Sequence, residues 1–163
     1  MEEPLFEETQ KFNQWWMILF FVFFNFFILA SIFNQFSSDN FDENRLFAFA
    51  FVAIIIVIDY LLLSTKLTTK IYEEYIIIKF FPFVRNKKIL FTELESCQVR
   101  KYSPLAEYGG WGYRIGIFGK GIAYNIRGNM GLQLVYKNNK KLLIGTQKPE
   151  ELERVIEQIK SKI

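Results

Sequence analysis

The sequence predicts an α+β protein: a transmembrane helical hairpin at the N-terminus, then a β-barrel or sandwich of about seven strands, closed by one C-terminal helix. Three observations predict it. Two long apolar runs, Trp15–Phe36 and Leu46–Leu63, contain one charged residue between them, Asp59. From Lys66 the pattern becomes short β-like runs broken by turn residues, and from Pro149 it becomes helical. The expected division is a cytoplasmic tail at 1–14, a hairpin at 15–63 with helices at 15–36 and 46–63, and a β domain at 64–163 with its helix at 149–162.

Composition supports this division. Of the 19 phenylalanines, 14 precede Ser64, as lipid-facing helices require. From Ser64 onward 18 Lys/Arg stand against 9 Asp/Glu, or +9, whereas the first 63 residues carry 2 against 8, or −6. A basic domain beside a bilayer is drawn to anionic headgroups by about 1 kcal/mol per Lys or Arg. The plainer reading is that these charges follow the positive-inside rule and keep the domain soluble. Cys97 is the only cysteine, which excludes an intrachain disulfide. Histidine is absent, which removes the commonest general base, the commonest metal ligand and any Ser–His or Cys–His dyad. Structural zinc would need several Cys or His ligands, so no metal and no cofactor are expected.

A helix needs roughly 20 apolar residues to cross a hydrocarbon core of about 30 Å, and both runs come close. Neither run shows the alternation of a barrel strand. Met1–Gln14 holds Glu2, Glu3, Glu7 and Glu8 against Lys11, without the basic start or cleavage site of a signal peptide, and reads as a short, partly amphipathic lead-in. Trp15 and Trp16 stand where interfacial aromatics belong. Asn25 is placed to hydrogen-bond across to the second helix. The short polar link Ser37–Arg45 makes the helices antiparallel neighbours. It offers only Arg45, while Lys11, Lys66, Lys70 and Lys79 flank the other side. Both termini are therefore expected in the cytoplasm, on a protein that crosses the cytoplasmic (inner) membrane twice. Asp59, next to Tyr60 and close to Leu63, reads as a carboxylate at headgroup level, with a partner or proton contact as the alternative.

The β runs follow. Leu67–Tyr72 and Tyr75–Phe81 come first, with Pro82 ending the second and Arg85-Asn86-Lys87 read as the turn into Lys88–Phe91. Ser96–Tyr102 places Cys97 and Val99 on one face and Gln98 and Arg100 on the other. Tyr113–Phe118 and Ile122–Ile126 are joined through Gly119-Lys120-Gly121. Leu132–Lys137 and Lys141–Ile144 flank Asn138-Asn139, which signals a tight hairpin. Pro149 suits a first helical position, with Glu150 and Glu151 favourable at the helix N-terminus. Leu152, Val155, Ile156 and Ile159 then form one apolar stripe, suited to cap an open end of the barrel.

Catalytic motifs fail on inspection. Gly119-Lys120-Gly121 lacks the Ser or Thr and the upstream glycine of a phosphate loop. Gly109-Gly110-Trp111-Gly112 lacks a strand-to-helix context. Glu93, Glu95 and Glu107 read as exposed strand-edge charge rather than a carboxylate pair. Arg85, Lys87, Lys88, Arg100, Lys101, Arg114 and Arg127 interleave with aromatics, but no nucleic-acid module is legible. Neither an enzyme nor a nucleic-acid binder is expected.

The segment Tyr108–Arg114 sets three glycines around Trp111. Either Trp111 folds back to plug one end of the barrel, or Tyr108, Trp111 and Arg114 form an exposed anchor of the residue types enriched at binding hot spots. The expectation is a plugging Trp111 with Arg114 left available. Tyr113, Lys120 and Arg127 complete the candidate partner-binding set.

The order of elements, with the stretches Tyr72–Val99, Ser103–Arg114 and Leu142–Leu152, resembles the membrane-anchored bacterial pleckstrin-homology-like (PH-like) proteins. The resemblance implies a PH-like fold on a membrane scaffold and no catalytic residues. The expected function is non-enzymatic: a scaffold that binds a membrane-associated partner, another membrane protein included. The alternatives are anionic lipid-headgroup binding through the basic face, or an accessory subunit of a larger membrane complex. The sequence leaves the oligomeric state open. A fragment from Ser64 onward is expected to fold without the hairpin.

Overall fold

The computed structural model describes residues 3–12, 15–36 and 43–160. It is α+β and divides into two compact units: Phe12–Thr65, and a second unit that joins the chain up to Lys11 with the chain from Lys66 onward.

The helical unit holds α1 (Trp15–Phe36) and α2 (Glu43–Leu63). Its large side chains lie on the outside: Phe23, Phe27, Phe33 and Phe47 are all exposed, and Ile55 is a buried exception. One stretch, Met17–Asn34, is long and apolar enough to cross a membrane, and none of it is buried; the apolar part of α2, Phe47–Leu63, is shorter. Two full-length spans are thus not established among the described residues. Asn25 reaches across as expected, its Nδ2 donating to Asp59 Oδ2 at 2.6 Å and to Phe21 O at 2.7 Å. Asp59 therefore has an amide partner on the neighbouring helix. The link residues 37–42 lie outside the described residues.

The sheet unit begins with a strand that the sequence did not suggest. The N-terminal lead-in forms β1 (Phe6–Lys11), antiparallel to β2 (Lys66–Ile71), with Phe6 opposite Ile71 and Lys11 opposite Lys66. Its apolar signal is weak because two inward positions are polar, Glu8 and Gln10, and both bond to the chain of the opposite sheet, although Gln10 Oε1 has no partner among the described residues. Gln10 Nε2 donates to Gly145 O at 2.7 Å, and Glu8 accepts from Thr146 Oγ1 at 2.6 Å and from the Gln147 N–H at 2.8 Å. Alternation governs the next strand, β3 (Tyr75–Phe81): Ile76, Ile78 and Phe80 are fully buried and Lys79 and Phe81 are exposed. The turn falls at Pro82-Phe83, and β4 (Val84–Leu90) already contains Arg85-Asn86-Lys87, so the reading of those residues as the turn is corrected.

A 3-10 turn at Phe91–Glu93 carries the chain to the second sheet. That sheet is built from β5 (Leu94–Lys101), β6 (Gly112–Ile115), β7 (Ile122–Asn125), β8 (Met130–Tyr136) and β9 (Lys141–Thr146). A short helix, α3 (Pro104–Tyr108), interrupts β5 and β6, and Asn139, with φ of 64°, turns the β8–β9 hairpin as expected. The strand orders are β1-β2-β3-β4 and β5-β8-β9-β7-β6, with β7 and β9 parallel. No ladder joins the sheets, so the described residues form two facing sheets of nine strands rather than a closed barrel of seven. α4 (Pro149–Ile159) buries Leu152, Val155, Ile156 and Ile159, the predicted stripe, and packs on β5 and β1, the edge strands of the two sheets. The last three residues of the expected 149–162 helix and chain end lie outside the described residues.

Candidate partner-binding surface

The surface is built on the segment from Ser103 to Gly121, which carries the chain from β5 through α3 and β6 into β7. Ser103 starts α3 by accepting from the Ala106 N–H at 3.3 Å, and Pro104 takes the first helical position. Gly109 ends the helix at φ 69°, donating to Leu105 O, a left-handed position that favours glycine. Gly110 and Gly112 continue at φ 125° and 114°, backbone that a side chain would strain.

The side chain that plugs the sheet unit here is Tyr108 and not Trp111. Tyr108 is 2% exposed, packs edge-on against Tyr102 at 6.0 Å in a cluster with Ala123 and Leu143, and donates from Oη to Lys120 O at 3.3 Å. Burial pushes its phenol pKa up. It also fixes the following turn: a Cβ on Gly116 would stand 2.8 Å from Tyr108 Cε1. Trp111 is 40% exposed, and its indole Nε1 donates to Gly128 O at 3.1 Å, holding the ring over the β7–β8 turn. Asn125, fully buried, pins the start of β6 by accepting from the Gly112 N–H at 2.8 Å and donating to Tyr102 Oη at 3.0 Å.

The other candidate residues separate. Tyr113 is exposed and stacks obliquely between Tyr124 at 5.3 Å and Phe83 of the other sheet at 5.8 Å. Arg114 turns back, its Nε donating to Trp111 O at 2.8 Å, so its side chain supports the loop rather than standing free. Lys120 lies 3.7 Å from Glu107, and Arg127 donates to Gln147 Oε1 at 3.0 Å. Trp111 and Arg127 meet at the Gly128 turn; Lys120 belongs with Tyr108 and Glu107.

Two features escaped sequence reasoning. Glu107 is no strand-edge charge: it sits on α3 and receives Arg100 through Nη2 at 2.7 Å and Nη1 at 3.2 Å, and the Ser103 N–H at 2.9 Å. The Arg100 hydrogen bond holds its carboxyl well down, at about 2, with burial opposing and the Ser103 N–H and Lys120 assisting. Arg100 in turn donates to Gln133 Oε1 from Nε at 3.1 Å. Nothing in the spacing of residues 100, 107 and 133 announces that they meet. The second feature is an apolar rim: Ile115, 76% exposed, Ile117 and Leu105 project from β6, the 117–119 turn and α3. β6 is also the outer strand of its sheet, paired on one side only by β7. The β-like run that starts at Tyr113 was legible in the sequence, but the solvent exposure of Tyr113 and Ile115 was not.

No family model, curated protein or solved structure matches this chain. The geometry therefore stands alone. Cys97 is buried, and burial raises its thiol to about 12, which leaves it a poor nucleophile. Among the described residues no group of three or more His, Cys, Asp or Glu side chains is placed to hold a metal ion.

Proposed function

We propose that this chain is a non-enzymatic two-pass inner-membrane protein, PH-like in its sheet unit, that binds a membrane-associated partner along β6. The observation that carries the membrane reading is the pairing of β1 with β2: a single sheet takes one strand from before the two apolar helices and one from after them. If α1 crosses a bilayer, the chain must return to the side it left, and α2 is the segment that brings it back. Cleavage after α1, as for a signal sequence, would sever β1 from its sheet. Cysteines at Ser38 and Ser161, on a Cys97→Ser background, test this with an impermeant reagent on intact cells. Labelling at 38 alone is expected; labelling at 161 alone overturns the topology.

The partner face is β6 with its rim. An outer strand offers unpaired backbone groups, and here it is flanked by Ile115, Ile117, Trp111 and Leu105 on a backbone fixed by Tyr108 and Asn125. That combination suits an extended apolar segment of another protein added beside β6. A photoreactive residue at position 115 in native membranes is expected to capture a discrete partner that the same group at Glu95 on β5 does not. Equal capture at both positions would remove β6 from the reading.

A second reading, an anionic bilayer as the ligand, is favoured by one other site. A cleft of about 470 Å3 at the β3–β4 turn is lined by Lys66, Lys79 and Arg85 together with the exposed Phe81 and Phe83. Lys11, Lys66 and Phe81 form one row across β1, β2 and β3, at the end of the sheet where the chain leaves for α1 and re-enters from α2. Basic and aromatic groups in that place match a headgroup layer. Vesicle flotation with Phe81→Ser/Phe83→Ser separates this reading from protein binding at β6.

A further inference from the structure

We propose that the cleft between β4 and the β8–β9 hairpin binds a small ligand through a phosphate group. The cleft measures about 320 Å3 and is lined by Lys87, Tyr136, Asn138, Lys140, Lys141 and Glu93 among its residues. Lys88 also borders it, but its ammonium lies 3.8 Å from the centre of the Tyr75 ring and is engaged there.

Lys87 is the unusual member. It shares the inward face of β4 with the buried Ile89, and its ammonium lies 6.0 and 5.9 Å from the ring centres of Tyr124 and Tyr136. Among the described residues no carboxylate comes within ion-pair distance of it, although Lys70, Arg100, Lys120 and Lys148 all have such partners. Burial lowers its pKa, Lys140 lowers it further, and Glu93 offsets them only in part. A half-buried ammonium without an anion is costly unless something supplies one.

The second observation is independent of charge. The Tyr136 hydroxyl is buried and has no hydrogen-bond partner among the described residues. A buried hydroxyl is normally satisfied, so an orphan on a residue that lines a cleft marks a place where a ligand oxygen would fit once the ring shifts to present it. One phosphate group answers both needs: its oxygens accept from the Lys87 ammonium and the Tyr136 hydroxyl, and its charge complements Lys140 and Lys141 at the mouth. A single carboxylate offers fewer oxygens and less charge to the same donors. The volume falls at the small end of ligand pockets, enough for a phosphorylated small molecule or a headgroup and more than a bare phosphate ion fills.

The test uses the full chain in an uncharged maltoside detergent, titrated calorimetrically with inorganic phosphate, glycerol 3-phosphate and acetate. Phosphatidic acid against phosphatidylcholine in nanodiscs forms the lipid arm. Binding of phosphate or glycerol phosphate but not acetate is expected, weakened about tenfold or more by Lys87→Gln and by Tyr136→Phe, while Lys101→Gln on β5 binds as wild type. Binding of glycerol phosphate in solution points to a soluble ligand; binding of phosphatidic acid alone points to a lipid headgroup. Tyr136→Phe keeps the ring, so it reads the site even if Lys87→Gln lowers stability. Absence of phosphate and phosphatidic acid binding in the wild type, equal response to acetate, or unchanged affinity in Tyr136→Phe overturns the proposal.

Discussion

The two units use the same residue, phenylalanine, in opposite ways. In the sheet unit Phe6, Phe80 and Phe91 are buried, whereas on α1 and α2 phenylalanines such as Phe27, 71% exposed, point outward. Water drives the first arrangement, because burying a phenyl side chain gains roughly 1.5–3 kcal/mol. It forbids the second, unless the helices sit in an apolar solvent of their own, where an outward phenyl ring costs nothing. The difference teaches that burial inside the chain is a poor guide to the role of an apolar residue until its surroundings are known.

The sharpest break of this comparison removes β1. A fragment of residues 64–163 lacks the apolar helices α1 and α2 and, by the sequence alone, should fold. The structure predicts otherwise, since the fragment loses Phe6 from the core, the Glu8 bonds to Thr146 and Gln147, and the strand that covers β2. A loss of at least about 4 kcal/mol, or aggregation through the bare edge, is expected in denaturant titration. Fusing residues 3–12 ahead of Lys66 through a short Gly-Ser linker should restore folding. A fragment as stable without β1 as with it would show that the strand merely adheres.

Next in size is a matched pair of truncations. Phe80→Ala should cost about 3–5 kcal/mol, by loss of a fully buried ring that meets Tyr124 of the other sheet at 5.7 Å. Phe27→Ala in detergent should leave the sheet unit's thermal midpoint unchanged. Comparable losses from both would mean that α1 is part of a water-driven core.

Acid provides a smaller test. The folded pKa of Glu107, about 2, lies below its ordinary value of 4.5, so its contribution is present above pH 4.5 and fades as pH falls towards 2. Solvent screening keeps this on the order of 1 kcal/mol. Arg100→Gln should flatten that part of the stability–pH curve; an unchanged curve would show that Arg100 does not hold the carboxylate.

The smallest effects are expected at the surface. Trp111→Ala should cost about 1 kcal/mol, through its bond to Gly128 O, rather than the several expected of a plug, and Ile115→Glu about 0.5 kcal/mol or less. Tyr108→Ala, by contrast, should behave as a core truncation. Chemical denaturation of the three variants ranks them, and a Trp111→Ala loss as large as that of Tyr108→Ala would return the plug to Trp111.

The sequence by itself determined whatever depends on period and on single-residue chemistry. The apolar runs of α1, α2 and Tyr75–Phe81, the Asn138-Asn139 turn and the stripe of α4 each follow from side chains a few positions apart, where local chemistry and period suffice. Tertiary structure decided the rest. β1 is a strand because Glu8 and Gln10 find partners some 135 residues away, and a polar inward position has no local signature. Two open sheets form instead of a closed barrel because long-range pairing, including the parallel contact of β7 with β9, sets strand order. Tyr108 takes the interior and Trp111 the surface, although both flank the same glycines, because only the packed sheet defines which ring has space beneath it. Lys87 likewise becomes distinctive only when Tyr124, Tyr136 and Lys140 close around it, for sequence fixes a residue's charge while folding fixes the medium in which that charge must be stabilised.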